Sequence, residues 1–318
     1  MMVELTIKTP TFVLGGGRLM EGIDFVVLNN NLYVLDLNKL PIDQVIRNPR
    51  VSFDSLIRDF VTRDPMKYSS RLYSVEEQCG SGEVLDHNPE GIPASEVKGF
   101  LRTTYLYWLL KNDAEKRTRF LDIVRERISE GVALNRVSID AEDNVVLVVS
   151  DKVLYEEEVK EAPYNVMNKV IIKQLTKPKH NDCGVYCIRD REGKFSIRAL
   201  GLRPGTVIRY ELIIDKRREY LNPDLIKALR EFSTDLVALE SRRGVRVPEC
   251  GDGLPIRVGY GVSRRWKTML NLLESLDPAL FRDVTNYVSS KLGKVWGDST
   301  IRLVNNEPVG WVCVRVIP

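Results

Sequence analysis

Histidine is nearly absent. His87 and His180 are the only two in 318 residues. A histidine acid–base pair would need both, drawn from distant loops. Long apolar runs are missing too. None approaches the roughly 18 residues of a membrane span, and no basic-then-apolar leader opens the chain. A cytoplasmic protein with no membrane partner is therefore expected. No excess of one charge exists, since 47 basic residues face 44 acidic ones for a net +3. A lone high-affinity nucleic-acid binder is usually more basic, so any such contact must rest on local patches or on neighbouring subunits. Five cysteines, an odd number, give no disulfide framework, and a reducing compartment is the default. His180, Cys183 and Cys187 have irregular spacing for a metal and lack a fourth ligand, so Cys183 and Cys187 are expected to pack in strands. There is no P-loop, no dinucleotide fingerprint and no Gly-x-Ser-x-Gly elbow. No metal or cofactor is expected.

The chain is 43% hydrophobic, enough for a sizeable core. Its elements alternate in an α+β order. Val3–Leu14 alternates as a strand. Asp24–Leu28 and Leu32–Leu37 flank Asn29-Asn30-Asn31, a hairpin signal. Ser52–Arg63 has helical periodicity, with Phe53, Leu56, Ile57, Phe60 and Val61 on one side. Residues 64–91 are polar and rich in turn formers, and read as a loop. Helices are expected from the Ile92-Pro93 turn onward and over Asp113–Glu130. A hairpin is expected over Leu134–Ile139 and Val145–Val149, and strands over Val166–Leu175 and Gly205–Ile214. Further helices are expected over Asp224–Arg243, Arg264–Leu276 and Pro278–Leu292. The run Glu156-Glu157-Glu158 reads as a solvated face. This order predicts two RRM-like (ferredoxin-like) units, at 1–165 and 166–318. The first would carry a helical insertion at about 41–91. The second would carry a basic protruding loop or thumb at about 176–204.

Three segments combine glycine with cations. Gly91-Ile92-Pro93 leads into a helix carrying Ser95, Lys98 and Arg102. Lys98 and Arg102 are four apart and share a side of that helix. Cations there oppose the helix dipole, which makes sense if an anion sits against the free N–H groups. Gly15-Gly16-Gly17 precedes Arg18, and Gly259-Tyr260-Gly261 precedes Ser263, Arg264, Arg265 and Lys267. Such backbone nests bind phosphate without reading sequence. Tyr260 could stack on a splayed base, whereas Trp266 reads as core.

Residues Ile92 to Arg102 resemble the Ile-Pro-Gly-Ser-Ser-hydrophobic-Lys-Gly-x-x-Arg motif of the RAMP superfamily, which builds CRISPR effector complexes. Ala94 and Glu96 depart from it. The opening segments through Leu32-Tyr33-Val34-Leu35-Asp36, the Gly259-x-Gly261 loop and the closing Pro308-Val309-Gly310-Trp311 are similar to the fifth subunit of Csm-type (type III) effectors. That resemblance implies a non-catalytic subunit holding the 3′ region of a guide RNA by phosphate contacts. It would cap a filament of related subunits that also engages target RNA. The alternative is an endoribonuclease. Gly22-Ile23-Asp24 is similar to the Gly-Ile-Asp of the target-cutting backbone subunit, so Asp24 is the candidate for catalysis, and His180 for precursor processing. The bland reading of Asp24 is a turn cap.

Overall fold

The computed structural model describes residues 1–41, 43, 47, 52, 55, 57–80, 82–155, 158–215, 223–293 and 301–317, with the side chains of 58, 59, 150–162 and 264 outside the description. Two sheets carry the fold. The first is antiparallel and five-stranded. Its strand β1 (Met2–Ile7) lies at the centre. Strands β2 (Leu14–Met20), β3 (Phe25–Leu28) and β4 (Asn31–Leu35) leave that sheet for the second, larger one. Asn29 and Asn30 adopt φ of 49° and 59° between β3 and β4, the left-handed pair a two-residue hairpin turn requires.

Positions 53, 54 and 56 of the expected helix over Ser52–Arg63 lie outside the described residues. Its described part is a helical turn, Ile57–Val61, followed by α1 (Pro65–Tyr68). The segment expected to be a loop then forms β5 (Ser69–Val75) and β6 (Glu83–His87). Each pairs in parallel with a strand more than 100 residues later in the chain, so no local turn signal marks it.

Helix α2 (Ala94–Asn112) follows Pro93, and α3 (Ala114–Ser129) is capped by Asp113, which accepts from the Lys116 N–H at 3.0 Å. The hairpin expected over 134–149 is instead α4 (Leu134–Ser138) and a wide helical turn, Ile139–Val146. The reason lies in its acids. Asp140 pairs with Arg127 and Arg136, and Glu142 and Asp143 pair with Arg102, so the supposed turn is docked on helices. Ala141, Val146 and Leu147 are buried beneath it.

Strands β7 (Val148–Tyr155) and β8 (Glu158–Asn165) form a separate two-stranded ribbon around the acidic run, whose residues 156 and 157 lie outside the description. Next come β9 (Val170–Gln174), β10 (Cys183–Arg189), β11 (Ser196–Leu202) and β12 (Val207–Ile214). The segment at 176–204, expected to protrude, thus supplies two inner strands of the large sheet. Six of the seven residues of β10 are buried, because β5 and β11 flank it. Helix α5 (Leu225–Arg242) is capped by Asp224. Strand β13 (Leu254–Arg257), α6 (Leu270–Leu276), α7 (Pro278–Leu292), the short β14 (Leu303–Val304) and β15 (Glu307–Pro308), and β16 (Trp311–Ile317) complete the chain. The helix expected from Arg264 is interrupted. Arg264–Trp266 form a 3-10 turn, and α6 starts only at Leu270.

The small sheet runs β13-β16-β1-β12-β9, and the large one β2-β6-β11-β10-β5-β4-β3 with β14 and β15 appended at β10. Both sheets draw strands from either side of residue 165, so that boundary does not separate them. Val3, Leu5, Ile208, Tyr210 and Val312 of the small sheet share one core cluster with Tyr73, Val84, Val185 and Leu200 of the large one. α2 packs along α5, tied by Tyr107 donating to Asp235 at 2.7 Å and Trp108 donating to Glu231 at 3.2 Å.

The cysteines depart from expectation. Cys79 is bonded to Cys187, with Cα atoms 5.3 Å apart, and Cys250 to Cys313 at 5.5 Å. Only Cys183 is free, and it is buried. The spacing in sequence hides both pairs, since they bridge 108 and 63 residues.

Candidate nucleic-acid interface

The three glycine-bearing segments are far apart in sequence and meet at one stretch, Pro10 to Gly15. The Asn88 N–H donates to Val13 at 2.7 Å, and the Gly91 N–H donates to Asn88 at 2.8 Å, so the Ile-Pro turn hangs on this stretch. The Tyr260 N–H donates to Phe12 at 2.6 Å, and the Gly310 N–H to Pro10 at 2.9 Å. A Cβ on Gly15 would stand 2.9 Å from the His87 carbonyl oxygen, and one on Gly259 2.4 Å from that of Phe12. These glycines permit close backbone approach. The expected loop Gly15–Gly17 is part of β2, with a register shift between Leu14 and Arg18 where it pairs with β6. Gly16 keeps φ of 82° over open space.

The Ile-Pro turn is locked from below. Ile92 is fully buried and its carbonyl accepts a short bond from the Tyr210 hydroxyl. Gly91 has φ of 73°, and a Cβ there would meet Pro178 at 2.8 Å. Above it, the first turn of α2 is open. Ser95 and Gly99 are exposed, and nothing lies within 4 Å of the position a Gly99 Cβ would take. Lys98 is half-exposed and has no ion-pair partner among the described residues. Lys267 reaches the same turn from the 3-10 side, 3.7 Å from Glu96. The helix start, the exposed Ser95 and Gly99 and the ammonium groups of Lys98 and Lys267 therefore lie on one open face, with the Glu96 carboxylate among them.

Other expected contacts are engaged elsewhere. Arg102 binds Asp143 at 2.9 Å and Glu142 at 3.0 Å, and those carboxylates outweigh burial to hold its guanidinium above its ordinary range. It fastens α2 to the turn at 139–146. Arg265 is buried, paired with Glu274 and set over the Phe281 ring at 5.0 Å. The Arg264 side chain lies outside the described residues. Arg18 pairs with Glu83 at 2.9 Å but stays two-thirds exposed, so it remains reachable. Trp266 is core, as read from the sequence, and its Nε1 donates to Glu240 at 2.8 Å.

Glu240 escaped the sequence reading. It is fully buried at the end of α5, where Arg257 of β13 meets it at 2.9 Å. Arg257 also donates to Val309 at 2.8 Å and stacks over Trp311. The Gly259–Gly261 loop lies between Arg257 and Trp266, so one carboxylate anchors both its ends. The spacing of Glu240, four from Leu236 and seven from Ser233, sets it on the buried stripe of α5, a periodic signal that its residue type masks.

Asp24 accepts from the Met20 N–H at 2.8 Å and closes the turn before β3. The two histidines do come together, edge-on to the buried Tyr73 ring with centroids at 6.2 Å and 5.9 Å. His87 is turned inward, its Nε2 3.3 Å from the Cys183 sulfur. Burial pushes the Cys183 thiol up to about 12. Among the described residues no group of three or more His, Cys, Asp or Glu is placed to hold a metal ion, and no helix is long and apolar enough to cross a membrane.

The outer face of the small sheet is not a base-stacking platform of the RRM kind. Glu4, Arg209, Glu211, Ile213, Ile171, Lys173 and Arg315 point outward by strand alternation, and Glu4 is held by Arg209 and Arg315 at 2.9 Å each.

No family model matches the sequence, and no curated protein matches it either. Solved structures do match in three dimensions, two of them as follows. A chain of the cryo-EM structure of a Csm-crRNA-target RNA ternary complex from a type III-A CRISPR-Cas system superimposes with a TM-score of 0.70 and 20% identity. The match covers 98% of this chain and 99% of that one. The crystal structure of T. onnurineus Csm5 gives 0.61 and 17%, again over 98% and 99%. The chain has the Csm5 fold. Its α+β architecture is the one the RAMP resemblance implied, whereas the segment at 176–204, expected to protrude as a thumb, forms inner strands. At these identities the likeness is one of fold, and the surface chemistry has to be argued from this chain's own residues.

Proposed function

We propose that this chain is a non-catalytic RNA-binding subunit of a type III (Csm-like) CRISPR effector, holding the 3′ region of the guide RNA and capping the filament of backbone subunits. The observation carrying this reading is the meeting of three glycine segments at Pro10–Gly15, beside an open helix start flanked by Lys98 and Lys267. Gly15, Gly16, Gly17, Arg18, Ser95, Lys98, Gly259, Gly261 and Lys267 would line the phosphate path. Arg102 and Arg265 would position it from within. Backbone contact of this kind tolerates any guide sequence. The near-neutral net charge suits a subunit that shares its RNA, and a target RNA paired to it, with neighbouring subunits.

The test is the Lys98→Ala/Lys267→Ala double variant, assayed for guide binding alone and in the reconstituted complex. Two lost phosphate contacts lower the salt slope by about 1.4, and affinity by roughly 25-fold near 0.1 M salt. Unchanged affinity and slope would remove this site. The alternative, an endoribonuclease, draws on the pairing of His87 and His180 around Tyr73. Precursor cutting by the isolated chain, abolished in His180→Ala, would establish it. Asp24→Ala is expected to leave target cutting unchanged, because Asp24 is occupied as a turn cap.

A further inference from the structure

A second cationic site adjoins the N-terminal end of the same stretch. A cleft of about 730 Å³ opens between the end of β1, the segment after α5 and the β14–β15 hairpin. Lys8, Arg191 and Arg246 line it. None of the three has an ion-pair partner among the described residues, whereas most of the guanidinium groups considered above are paired. Arg191 and Arg246 are exposed. Two carboxylates, Glu249 and Glu307, also reach the cleft, leaving it one charge positive.

The walls are fixed rather than loose. Past α5, the Val245 N–H donates to Glu240 at 3.0 Å, and the Cys250–Cys313 bond ties the following segment to β16. Opposite, Asn305 and Asn306 take φ of 49° and 63° in the tight turn between β14 and β15. The floor is Lys8 and Thr9, whose N–H groups donate to Trp311 at 2.9 and 3.2 Å. Lys8 and Thr9 run directly into Pro10–Gly15, the stretch on which the glycine segments meet.

We infer that this cleft takes the phosphodiester backbone of single-stranded RNA continuing past the glycine site. Three unpaired cations in a preformed cleft attract a polyanion, and the volume suits a few nucleotides. Continuity with Pro10–Gly15 selects the polynucleotide over an acidic peptide. The inference rests on the RNA-binding reading above, and the cleft adds a second group of contacts to it.

The test compares two variants of the full chain on labelled oligouridylate: Lys8→Ala/Arg191→Ala/Arg246→Ala in the cleft, and Lys98→Ala/Lys267→Ala at the glycine site. Unfolding temperature is monitored for both, and a poly-aspartate peptide serves as the second probe. The cleft variant is expected to lose about 100-fold in RNA affinity near 0.1 M salt, with the salt slope lowered by about 2. If the glycine-site variant weakens RNA and the cleft variant does not, the cleft inference falls and the RNA-binding reading stands. If neither weakens RNA, both fall. If the cleft variant loses poly-aspartate binding but keeps RNA binding, the cleft serves an acidic protein segment and the inference is overturned. Should the triple variant unfold early, Arg191→Glu/Arg246→Glu at the two exposed positions carries the same prediction.

Discussion

Removing the Glu240 carboxylate should unfold the protein several degrees early and loosen the Gly259–Gly261 loop. Glu240 has no exposed surface. It accepts from Arg257 at 2.9 Å and from Trp266 at 2.8 Å, with Arg243 at 3.7 Å. Burial lowers the Arg257 guanidinium's pKa, and Glu240 opposes that shift. In Glu240→Ala the Arg257 cation stays buried with only the Val309 carbonyl and the Trp311 ring for company. Breaking a buried pair from one side costs roughly 3–5 kcal/mol. For a chain of 318 residues, at about 2.1 cal/mol/K per residue, that lowers the unfolding temperature by roughly 4–7 °C. The measurement is thermal unfolding followed by circular dichroism, with urea titration as a second probe. Glu240→Met combined with Arg257→Met should be less destabilised than either single change, because no unpaired charge remains. RNA affinity of Glu240→Ala should also fall, although Glu240 itself is out of reach of any ligand. An unfolding temperature within about 1 °C of the parent would refute the buried-pair argument.

Two further outcomes follow from particular groups. Protein purified without reductant and then unfolded should show one reactive thiol of its five cysteines, from Cys183, and five after reduction. Five thiols without reductant would refute the pairing. Opening both bridges should lower stability by roughly 4–5 kcal/mol each, from the entropy of closing loops this long. Asp277 caps α7. The Leu280 N–H first, then Arg125 and the Ala279 N–H, hold its carboxyl below the ordinary range against a smaller opposing desolvation. A depressed folded value means the stabilisation is full above the ordinary carboxylate range and is lost as pH falls through the folded value. The stability gap between the parent and Asp277→Asn should therefore close on acidification, as read by urea titration across pH, and a gap that widens would refute it.

The sequence by itself determined whatever depends on neighbours within a few residues. The caps Asp113 and Asp224, the Asn29-Asn30 turn, the span Pro278–Leu292 and the Ile-Pro turn are all set by local hydrogen bonding and φ preference. They stand where the pattern placed them. Tertiary structure decided what depends on distant partners. β5 and β6 are strands because distant segments flank them on both sides, β4 and β2 antiparallel and β10 and β11 in parallel. Residues 139–146 are helical because Arg102, Arg127 and Arg136 gather their acids. Four cysteines are bonded because the fold brings them within bonding distance across long loops. The candidate site divides along the same line. Its glycines and cations were legible as residue types. Which cations stay at the surface, Lys98 and Lys267 rather than Arg102 and Arg265 within, depends on carboxylates that only folding brings near. A guanidinium beside a carboxylate from another element is spent on structure, and no spacing in the sequence records that meeting.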